Sequence, residues 1–545
     1  MTISLTDYNS LSRLCAIGNN EFWHEDLDMA AGEMVELVAA NGDIDTTDQL
    51  IMFSAFQKAF VVNGSNLKIA DFGNTKLTHS ALGKQHAFGA LLTQDQGGGD
   101  IAYMVVNFTN TAKTLTYGYT YYEGDAEAFD TSTAITGSGD GSGFTPSAVT
   151  DPPHWYDWTP YAGGDSGVMP NKAYLGCLYN GRCVLSGDPE HPNQWYMPRQ
   201  ANPFDWAYIA GDPGSPVKGG NSDLGELGDI VRCLAPYKDD YLIFGCSNSV
   251  WVMFGDAMAG GAIREVSLTT GIFGANSYCW DDANNFYFWG NNGLYRTTIP
   301  GVPQCISQYK LPRIAKDEAA SPQTHRVTMV YDSDRHGVLV TITVLASGSN
   351  SNYFYDLNAI DENTIGGFFP ETYPTECGVF ASIYYDSNDP TLKGLILGCT
   401  DGYLRTFDDD AKNDVIGVGN ESTINSSVSL GPIHISGVAQ REGTVGGLDM
   451  TTAGGVVGGS QADSDSVNFK VFTSRTSENV VELMNAGVNP NFAGAFTGPG
   501  NSRGSTRRQT ARGVYLGVKL ENTTADESWG FEDLFVNLKA SGRRK

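Results

Sequence analysis

At 545 residues with 41% hydrophobic content, the chain has room for two to four domains with sizeable cores and is too apolar to be disordered. Its 65 Gly, 26 Tyr and 26 Phe, with few amphipathic helical runs, point to an all-β protein. A net charge of −28 excludes tight nucleic-acid binding through the overall field, because phosphate contacts need Lys and Arg.

The opening MTISLTDYNS lacks the basic start and apolar core of a secretion signal, and no stretch approaches the roughly 20 apolar residues of a membrane span. Thr2–Thr6 reads as a strand placed to complete the last sheet of a closed ring. Met29–Ala39 is a weak helical pattern. Residues 1–72 then end in a hairpin, Ala59–Val62 and Leu67–Phe72 around Asn63-Gly64-Ser65-Asn66. The same device recurs four times: Tyr174–Tyr179 with Arg182–Leu185, Tyr241–Cys246 with Val250–Gly255, Phe286–Trp289 with Leu294–Thr298, and Gly394–Cys399 with Tyr403–Phe407. The turns carry Gly, Asn, Asp or Ser, the residues that tight turns favour. Such recurrence predicts a β-propeller of six to eight blades.

Residues 73–172 break the pattern. Longer strands at Ile101–Phe108 and Leu115–Tyr122 precede a glycine-rich loop, Gly137-Ser-Gly-Asp-Gly-Ser-Gly143, and the aromatic run Asp151-Pro-Pro-His-Trp-Tyr-Asp-Trp158. This reads as an inserted antiparallel β domain. Gly137, Gly139, Asp140, Gly141 and Gly143 mark a candidate tip or gate. Residues 173–410 form the main propeller body. Asp408-Asp409-Asp410 marks a boundary, and 411–545 alternates short strands with glycine loops, as in a small β-sandwich. Ser477–Asn485 is a second weak helical pattern. The last 45 residues hold nine Lys or Arg against five Asp or Glu, a net of +4, so the first 500 carry −32. Arg507, Arg508, Arg512, Arg543 and Arg544 are therefore candidate contacts to an acidic neighbour.

No catalytic constellation emerges. There is no P-loop, HExxH, GxSxG or EF-hand loop, and no two of the eight His residues stand two or four apart. Asp239-Asp240 and Asp281-Asp282 lead into strands, where neighbours point to opposite faces, so neither makes a ready glycosidase dyad. Asp332-Ser-Asp334 and Asp463-Ser-Asp-Ser466 resemble fragments of calcium loops without their glycine and terminal glutamate. Nine Cys without a CxxC pair suit free thiols, and Cys177 and Cys183 flank one turn. The expectation is a non-enzyme with no cofactor and no metal.

The wording of the middle of the chain is more specific. CLYNGRCVLSGDPEHPNQWYMPRQANPFDWAYIAGDPGSPV at 177–217, GDIVRCLAPYKDDYLIFGCSNSVWVMFGD at 228–256, TGIFG at 270–274 and NNFYFWGNNGLYR at 284–296 follow in an order that resembles the tail nozzle, or lower tail-tube, proteins of short-tailed bacteriophages. PPHWYDW, Arg512–Leu520 and Ser528-Trp-Gly-Phe-Glu-Asp-Leu-Phe-Val536 with its basic end are similar to parts of that family. The resemblance is strongest at 174–300 and weakest at 1–50 and 305–400. It implies a propeller with an inserted platform or tip domain and a C-terminal β-sandwich. It implies a structural virion protein, assembled in the host bacterial cytoplasm as a homo-hexamer. That ring would contact a tail adaptor and fibre proteins and conduct double-stranded DNA through its lumen without binding it specifically. Six chains would carry about −168 in total, and a lumen lined by part of that charge would repel phosphates.

Two other readings stand beside this one. A glycan-binding or glycan-cleaving propeller, acting as receptor-binding protein or depolymerase, would use Trp155, Tyr156, Trp158, Trp195 and Tyr196 as stacking surfaces. A generic intracellular propeller scaffold would use none of these features.

Overall fold

The computed structural model describes residues 2–7, 11–27, 32–37, 44–137, 143–161, 167–299, 301–359, 365–408, 411–437, 441–453, 466–503 and 510–544. The described chain is almost entirely antiparallel sheet and divides into two compact units. One holds Met1–Glu371 and Cys377–Thr406; the other holds Thr372–Glu376 and Phe407–Lys545.

In the larger unit, seven sheets of three or four strands follow one another as simple meanders. Their leading strands are Thr2–Thr6, Leu50–Ala55, Leu175–Tyr179, Val231–Tyr237, Tyr278–Trp280, His325–Asp332 and Val379–Tyr385. All five hairpins read from the sequence form, including Tyr241–Cys246 against Val250–Phe254 and Phe286–Gly290 against Gly293–Thr297. Each sheet packs on the next. Leu5 and Cys15 of the first meet Met52 and Val61 of the second. Phe60 and Ile69 meet Cys183 and Leu185 of the third, and Val184 and Trp195 meet Leu242 and Phe244 of the fourth. Ile243 and Val252 meet Phe286 and Phe288 of the fifth, and Tyr287 and Leu294 meet Val338 and Val340 of the sixth. The Thr343 hydroxyl donates to the Val379 carbonyl of the seventh at 2.9 Å. The circuit closes where Tyr385 and Ile396 of the seventh sheet pack on Leu14 of the first.

Strands covered on both faces should be apolar throughout rather than alternating. Gly337–Val344, GVLVTITV, is buried at seven successive positions, as a strand between two neighbouring sheets must be. Asp100–Thr109, DIAYMVVNFT, alternates between buried and half-buried side chains, which marks a sheet covered on one face only. It belongs to a six-stranded sheet spanning Thr75–Thr78 to Ala148–Thr150, with its own core of Leu77, Leu92, Met104, Val106, Phe129 and Phe144.

Several boundaries differ from those read in the sequence. His154–Asp157 leaves the six-stranded sheet and pairs with Leu67–Asp71, completing the second sheet, so the aromatic run closes that sheet and does not extend the insertion. Thr2–Thr6 pairs with Ser12–Gly18 in a sheet of its own and does not complete the last one; closure comes from side-chain packing. Met34–Glu36, inside the weak helical pattern, is a strand paired with Glu21–Glu25. The smaller unit takes over at Phe407, and Asp409 and Asp410 lie outside the described residues.

In the smaller unit, Ser426–His434, Tyr515–Asn522, Ser466–Ser474 and Phe492–Thr497 form one sheet in that order. Arg441–Thr452 centres a second, with Phe531–Arg544 on one side and Gly500–Arg503 and Ala511–Gly513 on the other. Val445, Leu448 and Met450 of the second sheet share a core with Phe469, Val471 and Val518 of the first. The helix Ser477–Ala486 lays Val480 and Met484 on Phe472. It starts at Thr476, whose side chain accepts from the Asn479 amide, and stops at Gly487 with φ 64°.

Candidate functional site

The basic C-terminal residues separate into three situations. Arg507 and Arg508 lie outside the described residues. Arg543 and Arg544 lie in the last strand, where Arg544 pairs with Arg441. Arg512 is engaged within its own chain: its Nε is 3.1 Å from a Glu442 carboxylate oxygen. Of the glycine-rich loop, Gly139, Asp140 and Gly141 lie outside the described residues. Gly137 ends a strand paired with Leu91–Gly97, and Gly143 precedes Phe144, which bridges Ile135. The two ends of the loop are thus held together on the inserted sheet.

The aromatic set proposed for sugar stacking is internal. Trp158, Trp195 and Tyr196 are buried, while Trp155 and Tyr156 are half-buried against apolar cores. Their polar tips are taken. Trp158 Nε1 donates to the Pro203 carbonyl at 2.9 Å, Tyr156 to Asp71 at 2.7 Å and Tyr196 to Asp188 at 2.7 Å. An aromatic with its ring packed and its tip bonded is a core residue. Exposed aromatics include Tyr119 and Tyr121 on the open face of the inserted sheet. Tyr121 stacks on Tyr103 at 4.7 Å, and Tyr119, 52% exposed, lies on the same strand as Tyr121.

The acidic pairs are structural. Asp281 accepts from Asn285 and Tyr287, and Asp282 accepts from Tyr331 at 3.0 Å. Asp239 accepts from the Asn180 amide. Asp332 holds Arg335 at 2.7 Å and caps its own turn, while Asp463 lies outside the described residues. All nine cysteines are free and eight are buried. Leu178, not Cys177, faces Cys183 across the hairpin. Burial pushes the Cys246 thiol up to about 12, so it is a packing group and not a nucleophile. Among the described residues no three His, Cys, Asp or Glu are grouped to hold a metal, and no helix is long and apolar enough to cross a membrane.

The feature that sequence reading missed is a cavity of about 550 Å³ where the leading strands of the sheets converge. The second to seventh sheets, with the loops that lead into them, all contribute to its wall. Two local irregularities shape it. Val231 pairs with Cys246 and Cys233 with Gly245, so Arg232 is the extra residue of a β-bulge. Val379 pairs with Cys399 and Ala381 with Gly398, so Phe380 is the extra residue of another. A bulge re-aims the side chain it carries, and both side chains line the cavity. Arg326, second residue of the sixth sheet, lies over the Phe380 ring at 5.0 Å. Burial pulls its pKa below the ordinary value. Across the wall, Tyr174 hydrogen-bonds Asp48, and burial together with that bond raises the phenol's pKa. Asp188 is held by Tyr196 and the Glu190 amide. The acids of the wall are thus engaged, whereas neither Arg232 nor Arg326 has a side-chain hydrogen bond or ion pair among the described residues.

No family model matches the chain, and no curated protein matches it. Among solved structures, the chain matches PorZ, an essential bacterial surface component of the type-IX secretion system of Porphyromonas gingivalis. The identity is 10% over 98% of this chain and 92% of that one, with a TM-score of 0.20. At that score the likeness carries no argument about fold or function.

Proposed function

We propose that the chain is a structural tail protein of the nozzle type, built as a seven-bladed β-propeller with an inserted platform and a C-terminal β-sandwich. The observation that carries this reading is the order of its parts. The motif series at 177–296 resembles the tail nozzle family in sequence, and the same chain lays down sheets, a sheet inserted within the second of them, more sheets, and then a separate unit built on two four-stranded sheets. Buried thiols and structurally engaged acidic pairs favour a scaffold over a catalyst. In this reading six copies form a ring below an adaptor, take fibre proteins on their outside, and let DNA pass a like-charged lumen. Particles assembled without the chain should lose genome or fail to eject it. Particles that keep full infectivity in its absence would overturn the proposal.

The glycan-binding reading rests on the face formed by half-buried Tyr103 and exposed Tyr119 and Tyr121, where Tyr103 donates to Glu123 at 3.1 Å. Flat aromatic surfaces beside carboxylates suit sugar rings. A glycan array with wild type and Tyr119→Ala/Tyr121→Ala tests it: binding lost in the variant supports this reading, and no binding by either protein rejects it.

A further inference from the structure

We infer that the cavity at the convergence of the leading strands is a binding site for a small oxyanion-bearing molecule, held by Arg232 and Arg326. Three observations carry this. The two arginines line one cavity, and neither has a carboxylate partner among the described residues of a chain carrying 62 Asp and Glu against 34 Lys and Arg. With acids in such excess, a half-buried arginine in a cavity wall left without one is the exception. Arg232 and Phe380 both reach the cavity from β-bulges, each of which gives up regular pairing to aim a side chain inward. Arg326, half-buried in this wall, has the face of Phe380 beside its guanidinium and no carboxylate among the described residues.

A carboxylate or phosphate supplies what is missing, since the guanidinium fork matches either one with two parallel hydrogen bonds. The volume, about 550 Å³, falls within the usual range for small-ligand pockets, roughly 300–1,000 Å³. Phe273 and Phe380 offer apolar faces for the rest of the molecule, and Asn276 lies on the same wall. The acids Asp48 and Asp188 accept from their own donors, and neither forms an ion pair with Arg232 or Arg326 among the described residues. The site stands whether or not the chain is a tail protein.

The test is calorimetric titration of the full chain with inorganic phosphate, sodium glucuronate and neutral glucose at constant ionic strength. Wild type should bind phosphate, glucuronate or both, and Arg326→Met and Arg232→Met should each weaken that binding at least tenfold. Phosphate alone binding points to a phosphorylated ligand; glucuronate alone points to a carboxylated one. Binding of glucose alone, of neither anion, or of an anion equally by wild type and the double variant would overturn the inference. Far-ultraviolet circular dichroism and the unliganded melting temperature establish that the variants are folded. Arg326→Lys, which keeps the charge but not the fork, should bind more weakly than wild type and more tightly than Arg326→Met.

Discussion

Arg182 shows how one side chain ties distant loops together. Its side chain is 1% exposed, its Nε lies 2.7 Å from Asp256, and its remaining donors reach the carbonyls of Pro198, Pro213, Gly214 and Ser215. Those carbonyls lie in the Pro-rich stretch 198–216, between the last two strands of the third sheet. Replacing Arg182 by Met leaves the Asp256 carboxylate without its cation and four carbonyls without their donor, so Arg182→Met should cost about 3–5 kcal/mol in denaturant unfolding. His154 makes a pH-dependent contribution of opposite character. Burial, helped by the charge of nearby Lys76, lowers its pKa to about 4. Its Nε2 is buried without a partner. The neutral ring is the folded form, so its contribution is whole above the unfolded pKa of about 6.5 and is lost as pH falls toward 4, up to about 3 kcal/mol. Asp130, held at about 2 by Thr133 and Ser132, loses its own contribution only below the ordinary carboxylate range. If the substitution packs, wild type and His154→Phe should therefore have similar melting temperatures above pH 6.5 and diverge as pH falls toward 4, with wild type falling below the variant. Parallel curves would show that His154 is not the titrating group.

At the scale of elements, glycines placed for close approach are as informative as those placed for turns. In the TGIFG motif, a Cβ on Gly271 would run into the carbonyl oxygens of Cys246 and Ser247. The next residue, Ile272, donates its amide to the Cys246 carbonyl at 3.0 Å, so the backbone cannot back away. Gly271→Ala should destabilise the junction of the fourth and fifth sheets by about 1–3 kcal/mol, read as a lower urea midpoint with an unchanged slope. Hairpins with Gly or Asn in their turns were legible because those residues signal positive φ directly: Asn180-Gly181 has φ 49° and 69°. The strand Leu50–Ala55 was hidden because its turn is Phe56-Gln57, at φ 51° and 59°, a conformation those residues rarely adopt. The first sheet was hidden for a different reason. Its turn at Asn19-Asn20, φ 51° and 61°, was a readable signal, but the polar residues around it masked strands whose apolar partners come from the second and seventh sheets. The cavity was illegible altogether. Arg232, Arg326 and Phe380 are far apart in the chain and meet only once the circuit of sheets closes, and a bulge leaves no mark in a single sequence.

For the whole molecule, charge is the property that bears most on the proposed role. Arg512 is occupied by Glu442, so Arg512→Glu would set two carboxylates against each other and lower the melting temperature of the chain itself. Arg507→Glu with Arg508→Glu is the cleaner probe of assembly. In the nozzle reading that pair should weaken ring formation, with the defect shrinking as salt rises and screens both the lost attraction and the new repulsion. Unchanged assembly of this variant at low salt would remove the basic segment as a contact. The account as a whole is tested most directly by cryo-electron microscopy of purified particles, with the chain located by antibody label. It predicts six copies around the tail axis below the adaptor, each presenting a seven-sheet ring, with an acidic surface toward the channel. Density for this chain on peripheral fibres, or its absence from the particle, would contradict it.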